Sequence, residues 1–531
     1  MLRLPMITPR SGRFLITLLV IIKLALLVWN SAVFDGKPYD VGHHSDRALF
    51  GGLRPGKMAY NPPPYYFPAL LLHKPADVPR VERSSETIGE DEEAVQSRLE
   101  RTTPATRAER LFRNKLIAHL RYTNIFWVSL FYLVWIYHSF PRLLNGFQPW
   151  FLASLLLLAM PGYQKLGVMT HPDNMFAGMA ALSIGVWLSL RQRWQRRGLS
   201  TPAAALAPSV EAAATTTAPA PSVAVASPEQ PLALKHLVVF AFVIGLGALT
   251  RPFAAVPTAV LSVVAVVYLF RLVGGNWLKL LPRLALVGSI VAVLSLSWYV
   301  YRWKMSGEVT NAYRTGYISK FEKRKANFDY LAYYTSLNLK DLILDPSRKM
   351  GDGSASVYAD TPLANSFFTL LYSEIWGDQW LYFSGPKMKD NKVVAKRALL
   401  TSALLVPPIM LGLFALSLWA LVGSIRKKAT EVRGSPFLKR VAAVLSEIEP
   451  QLVLLSIVVL GAALFIAWQG GPALLPGKNS TVKFIYIATL FPPAIAFAFG
   501  RRLKPLTFNL LSSYFFILYV VAFPFAMYWP S

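Results

Sequence analysis

The chain contains no cysteine and few acids: among 531 residues, 28 Asp and Glu stand against 55 Lys and Arg, a formal charge of +27. The absence of Cys excludes disulfides, thiolate nucleophiles and Cys-ligated metal, and leaves the redox compartment open. The sequence also lacks a His-Glu-x-x-His motif, a Gly-rich nucleotide loop and a Ser set in a nucleophile elbow, so nothing in it supports a protease, an ATPase or a soluble-nucleotide enzyme. No internal repeat argues for a transporter built of two related halves. Charge is scarce inside the apolar runs as well. Lys23 is the one clear case, and its place in the first run reads as a helix contact or a tilt rather than a transport pathway.

What the chain does have is hydrophobic length. Hydrophobic residues make up 54% of it, in repeated runs of about 20 residues that match a ~30 Å hydrocarbon core. This composition predicts an all-α polytopic membrane protein with about eleven spans, near 14–34, 122–140, 146–161, 174–191, 235–250, 252–270, 280–302, 398–424, 451–469, 483–500 and 507–529. The first run is too long for a removable signal peptide and lacks a small-residue cleavage site, so it is expected to remain as an anchor. Lys and Arg gather at the ends of the runs, where they orient helices and meet anionic headgroups. The basic charge is therefore expected to serve membrane lipids, and nucleic acid is not an expected partner.

The positive-inside rule orients the spans. Arg3, Arg10 and Arg13, then Arg191 to Arg197, Arg271 and Lys279, Arg426 to Arg440, and Arg501 to Lys504 all fall on one side under a single topology. Two long loops, 35–121 and 303–397, then lie on the opposite, extracytoplasmic face. The first carries a predicted amphipathic helix near 105–120, with Leu111, Phe112, Leu116, Ile117 and Leu120 on its apolar side. Residues 198–233, rich in Ala, Pro, Thr and Ser, read as a flexible cytoplasmic linker. Residues 1–397 form the expected catalytic module and 398–531 a C-terminal set of helices.

Polar groups suited to chemistry collect on the outer face. The first loop places Asp35, Asp40 and Asp46 beside His43 and His44, followed by the run Tyr60-Asn-Pro-Pro-Pro-Tyr65-Tyr66. A short loop between the third and fourth spans carries Lys165, His171, Asp173 and Asn174, where Asp or Asn also makes an ordinary helix cap. Arg251 sits in the turn between the fifth and sixth spans. Glu374 and Asp378 lie in the aromatic stretch 372–383 of the second long loop, and Lys483 is in the last outer loop. Carboxylates beside imidazoles supply a general base or metal ligands, and Lys and Arg can hold a phosphate.

In its layout the chain resembles the C-type (GT-C) integral membrane glycosyltransferases, in the branch of protein O-mannosyltransferases and lipid A aminoarabinose transferases. Tyr39-Asp40-Val-Gly-His-His44 resembles the acidic motif of their first loop, Pro63-Pro64-Tyr65-Tyr66 their Pro-Pro-aromatic run, and His171-Pro-Asp-Asn174 the polar motif that opens their fourth span. The resemblance implies a polyprenyl- or dolichyl-phosphate monosaccharide donor and a glycan, lipid or protein hydroxyl as acceptor, joined with inversion. It implies Asp40 as the base, with Asp35 and Asp46 as alternatives, and Arg251, Lys165 and Lys483 at the donor phosphate. Tyr65, Tyr66, His43, His44, His171, Asp173, Asn174, Glu374 and Asp378 would then line the substrate site. No cofactor is required by it, a divalent ion such as Mg or Mn is left open, and the membrane is a bacterial inner membrane or the endoplasmic reticulum. A transporter or flippase of lipid-linked sugars, and a polymerase or ligase of lipid-linked glycans, are the competing classes.

Overall fold

A computed structural model of the chain describes residues 7–33, 104–168, 173–199, 233–250, 255–272, 277–306, 330–346, 366–377, 390–433, 437–470, 487–501 and 503–526. Among these residues every regular element is helical. Five helical stretches are long and apolar enough to cross a bilayer: Pro9–Val33, Leu278–Ser297, Val393–Glu431, Ile448–Ile466 and Pro505–Pro524. Four shorter apolar helices, Phe147–Ala159, Leu234–Thr250, Ala255–Phe270 and Ala488–Ala498, accompany them. Large apolar side chains stand exposed along these stretches, including Val293 and Leu296 in one and Leu411, Leu416 and Trp419 in another. Such surface suits lipid tails rather than water.

Helix α1 (Pro9–Val33) starts at Thr8, whose Oγ1 accepts the Ser11 amide at 3.2 Å, an ordinary N-cap. At its middle Lys23 is almost fully buried, with its ammonium 5.8 Å from the centre of the Tyr519 ring. The Tyr519 hydroxyl in turn donates to the Leu19 carbonyl at 3.3 Å. Lys23 is thus a helix contact, as its isolation in an apolar run suggested.

Helix α2 (Pro104–Leu133) merges the amphipathic segment expected near 105–120 with the second span in one continuous rod. The reason is local: no Gly or Pro occurs from Ala105 to Phe140 to separate them. At its far end the rod passes into a π-helical turn, Val134–Ser139, and then α3 (Phe140–Leu143). A π turn leaves a carbonyl without its usual partner, and the buried Trp150 indole donates to the Ile136 oxygen at 2.7 Å. His138 in the same turn bonds the Gly185 carbonyl at 2.8 Å. The chain reverses at Gly146, whose φ of 103° is open to glycine and costly for other residues.

Next comes α4 (Phe147–Ala159), a helix of 13 residues in which every residue from Pro149 to Ala159 is buried. Its apolarity all round is the mark of an interior helix. At ~1.5 Å per residue it is about 20 Å long and does not reach across a ~30 Å core alone. Met160 and Pro161 interrupt it, and the amides of Gln164 and Lys165 then bond the Pro161 carbonyl at 3.0 and 3.2 Å as α5 (Gly162–Val168) begins. The third apolar run, expected over 146–161, therefore ends at this break, and the segment expected to be a loop forms a short helix buried in protein, where irregular backbone is tolerated.

The remaining helices are α6 (Asp173–Leu199), α7 (Leu234–Thr250), α8 (Ala255–Leu272), α9 (Trp277–Ser306), α10 (Tyr330–Thr335), α11 (Leu339–Leu344), α12 (Phe367–Trp376), α13 (Asp390–Ser402), α14 (Val406–Glu431), α15 (Phe437–Gly470), α16 (Phe491–Ala498) and α17 (Pro505–Ala526). Only a single 3-10 turn, Ala403–Leu405, interrupts α13 and α14, where Pro407 and Pro408 remove two amide donors. Glu449 of α15 ties α6 to α8: its Oε1 accepts the Trp187 indole at 3.3 Å and the Tyr268 hydroxyl at 2.5 Å.

Candidate functional site

Helix α5 carries Lys165, one of the polar residues expected on the outer face. It packs against α1, α2, α6 and α12. A Cβ on Gly167 would fall 1.8 Å from Leu27 Cδ1, so glycine there lets α5 press onto the last turns of α1. Tyr163 fixes the other side. Its ring lies 4.5 Å from that of Phe131 and edge-on to Tyr132, and its hydroxyl donates to the Ala488 carbonyl at 2.5 Å.

Lys165 is 5% exposed, and its Nζ donates to the Glu374 carbonyl at 2.8 Å. That carbonyl belongs to the last turn of α12, where the main chain presents partial negative charge that a cation stabilises. Lys396 of α13, fully buried, reaches the same end of α12: a Cβ on Gly377 would come within 3.2 Å of its Cε. The next residue, Arg397, closes α11 in the same way, with Nε to the Ile343 carbonyl at 3.1 Å and Nη2 to Leu344 at 2.9 Å. The end of α12 is thus met by Lys165 from α5 and the end of α11 by Arg397 from the nearby α13. The start of α12 is closed by Ser366, whose Oγ accepts the Thr369 amide at 3.2 Å and donates to the Ser336 carbonyl at 2.6 Å. Tyr372 on α12 donates its hydroxyl to the Leu400 carbonyl, and burial, with a smaller push from Tyr514, holds its pKa above the ordinary phenol value.

Helix α5 and the helices packed against it carry buried polar residues: Asn30 and Ser31 at the end of α1, Asn124 on α2, Gln164 and Lys165 on α5, Asn174 on α6, and Ser373 and Glu374 on α12. Arg121 of α2 crosses to α1, its Nη1 3.5 Å from the Ser31 carbonyl. Gln164 is the most conspicuous member. It is 1% exposed, and neither its Nε2 nor its Oε1 has a hydrogen-bond partner among the described residues. The hydroxyls of Ser31 and Ser373 are buried without a partner in the same way. Each such group costs about 1–3 kcal/mol relative to a satisfied one.

Of the residues expected to form the site, the structure brings Lys165 and Glu374 into contact and puts Asn174 on a helix packed against α5. Asp173 is the first residue of α6. Asp35, Asp40, Asp46, His43, His44, Tyr65, Tyr66, His171, Arg251, Asp378 and Lys483 lie outside the described residues. The first-loop groups suited to a divalent ion are among these, and among the described residues no three His, Asp or Glu side chains gather in a metal-binding group. Sequence reading missed Gln164, Asn30, Ser31, Asn124 and Lys396. The available signal was an amide or hydroxyl next to or inside an apolar run, which costs free energy in a membrane unless it is used.

Comparison with protein-family models, with curated proteins and with solved structures finds no match to this chain.

Proposed function

We propose that the chain is a membrane glycosyltransferase that moves a monosaccharide from a polyprenyl- or dolichyl-phosphate donor to an acceptor hydroxyl on the extracytoplasmic face, inverting the anomeric carbon. The observation that carries this reading is the buried polar group around α5, at the end of α1 that leads into the Asp-rich segment after Val33. A lipid-linked sugar presents hydroxyls and a phosphate, and the three buried asparagines and the buried glutamine on α5 and its neighbours are polar groups that cost free energy in a membrane protein unless they are used. The finer architecture belongs to the same proposal. It has eleven spans, oriented by the basic residues at one set of their ends so that 35–121 and 303–397 share the outer face.

In the proposed reaction the acceptor oxygen attacks the anomeric carbon from the face opposite the phosphate. The bond between that carbon and the phosphate oxygen breaks, Asp40 takes the hydroxyl proton, and the lipid phosphate leaves. Phosphate is a good leaving group, so cations serve it better than an acid does. Arg251 and Lys483 are assigned to it. Lys165 commits one of its N–H groups to Glu374 and acts by holding α5 to α12. Incubating purified chain with a panel of synthetic polyprenyl-phosphate sugars and a hydroxyl acceptor tests the reading. Release of free lipid phosphate together with a glycosylated product is expected. Turnover of no donor, with movement of intact donor across vesicle bilayers instead, would put a flippase in its place.

A further inference from the structure

We propose that Arg193 and His236 together hold a phosphate oxyanion, the headgroup of an anionic membrane lipid; the assignment is independent of the reaction proposed above. Arg193 lies on α6 and His236 on α7, and the two helices pack against each other. Their side chains meet with Arg193 Nη1 3.2 Å from His236 Nε2. The state of the ring is settled at its other nitrogen. His236 Nδ1 accepts the Ala233 main-chain amide at 2.9 Å, and an amide N–H can only donate. Nδ1 is therefore the unprotonated nitrogen, and a neutral imidazole then carries its proton on Nε2. The guanidinium has donors and no acceptor. Two N–H groups thus face each other at hydrogen-bond distance, an arrangement that calls for an acceptor to take both.

Charge identifies the acceptor. Among the described residues Arg193 makes no ion pair with a carboxylate, and Lys235, exposed next to His236, adds a second positive charge. A water molecule can accept two N–H groups, but an oxyanion does so with charge-assisted bonds, which are the stronger. The surroundings identify its source. His236 stands in the first turn of α7, an apolar helix. One and two turns further along, Val239 and Phe242 are 55% and 50% exposed, a surface for hydrocarbon tails. Trp194, beside Arg193, stacks on Tyr268 with ring centres 6.1 Å apart, and Trp and Tyr favour the level of the headgroups. An anion at Arg193 and His236 thus sits at the polar end of an apolar strip, a place that a lipid fills along its length and a free phosphate does not.

The test titrates full-length protein in dodecyl maltoside, a micelle without phosphate, with dioleoyl phosphatidylglycerol, dioleoyl phosphatidylcholine or inorganic phosphate. Native mass spectrometry reads lipid affinity and thermal unfolding reads stabilisation. Wild-type protein should bind phosphatidylglycerol about tenfold more tightly than phosphatidylcholine, the worth of one charge-assisted hydrogen bond. Phosphatidylglycerol should also raise its unfolding temperature, while inorganic phosphate at the same concentration should not. Arg193→Gln removes the cation, and His236→Asn removes the Nε2 proton while keeping an acceptor for the Ala233 amide. Each should lose most of the preference for phosphatidylglycerol. Without lipid, Arg193→Gln should unfold at the wild-type temperature or above it, since it parts two facing donors. Lys427→Gln, at an exposed lysine of α14, should keep the preference. Retention of the preference in both site variants would overturn the proposal, and so would an equal loss in Lys427→Gln, which would reduce the effect to net charge. A lowered unfolding temperature of lipid-free Arg193→Gln would make the contact a plain tie between helices and overturn it as well. Equal stabilisation by inorganic phosphate would overturn the lipid as occupant, and a wild-type protein that binds the two lipids alike would overturn the site.

Discussion

Lys165 and Glu374 are 209 residues apart in sequence and joined by a hydrogen bond of 2.8 Å from a buried ammonium to a main-chain carbonyl. The bond ties the short helix that follows the third apolar run to the C-terminal turn of α12. A lysine here has a structural task, beside the phosphate-binding role expected of it.

Lys165→Met keeps the aliphatic stem and removes the donor to the Glu374 carbonyl at the end of α12. The loss should be about 1.5–3 kcal/mol, the worth of a hydrogen bond to a charged group, and should appear as a lower thermal unfolding midpoint. Lys165→Arg should recover part of it. If Lys165→Met unfolds as wild type does but weakens donor binding, the ammonium serves the phosphate after all.

Gly146 gives a backbone prediction. Its φ of 103° lies where a Cβ is strained, and no atom stands within 4 Å of where that Cβ would be, so the cost of Gly146→Ala comes from the main chain alone. About 1–3 kcal/mol of destabilisation is expected. An Ala variant as stable as wild type would mean that the turn between α3 and α4 relaxes to another conformation.

The proposed topology is open to direct labelling, because the chain has no Cys. Single cysteines at Ser84 and Ser354 should both react with an impermeant thiol reagent in intact cells, and one at Ser209 in the linker should react only after permeabilisation. Labelling of Ser84 without Ser354 would separate the two loops and break the proposed arrangement.

Much of the fold is legible in the sequence, since runs of apolar residues near membrane length state both the class and the approximate helix positions. The 3.6-residue repeat alone does not say where an amphipathic helix ends and a span begins. Hence the amphipathic segment near 105–120 and the second span, read as separate, are one rod in α2, while the segment after Pro161, read as a loop, forms the short helix α5. The site was less legible for a different reason. Gln164 looks like any polar residue in a turn, and only three-dimensional burial shows that its amide is inside the protein and unpaired. Lys165 was singled out for its charge, but the carbonyl it serves belongs to a residue more than two hundred positions away, a relationship that no local pattern encodes.

The central claim is that a carboxylate in the first loop deprotonates the acceptor, and Asp40 is its assigned bearer, seven residues beyond the end of α1 at Val33. Asp40→Asn preserves size and hydrogen-bonding reach while removing the basic oxygen. The deciding measurement is single-turnover sugar transfer at saturating lipid-phosphate donor by wild type, Asp40→Asn, Asp35→Asn and Asp46→Asn, with donor affinity measured separately for each. The account predicts a loss of roughly 10²–10⁴-fold in transfer for Asp40→Asn alone, the usual contribution of a positioned base, with donor affinity close to wild type. Undiminished transfer by all three variants would contradict it.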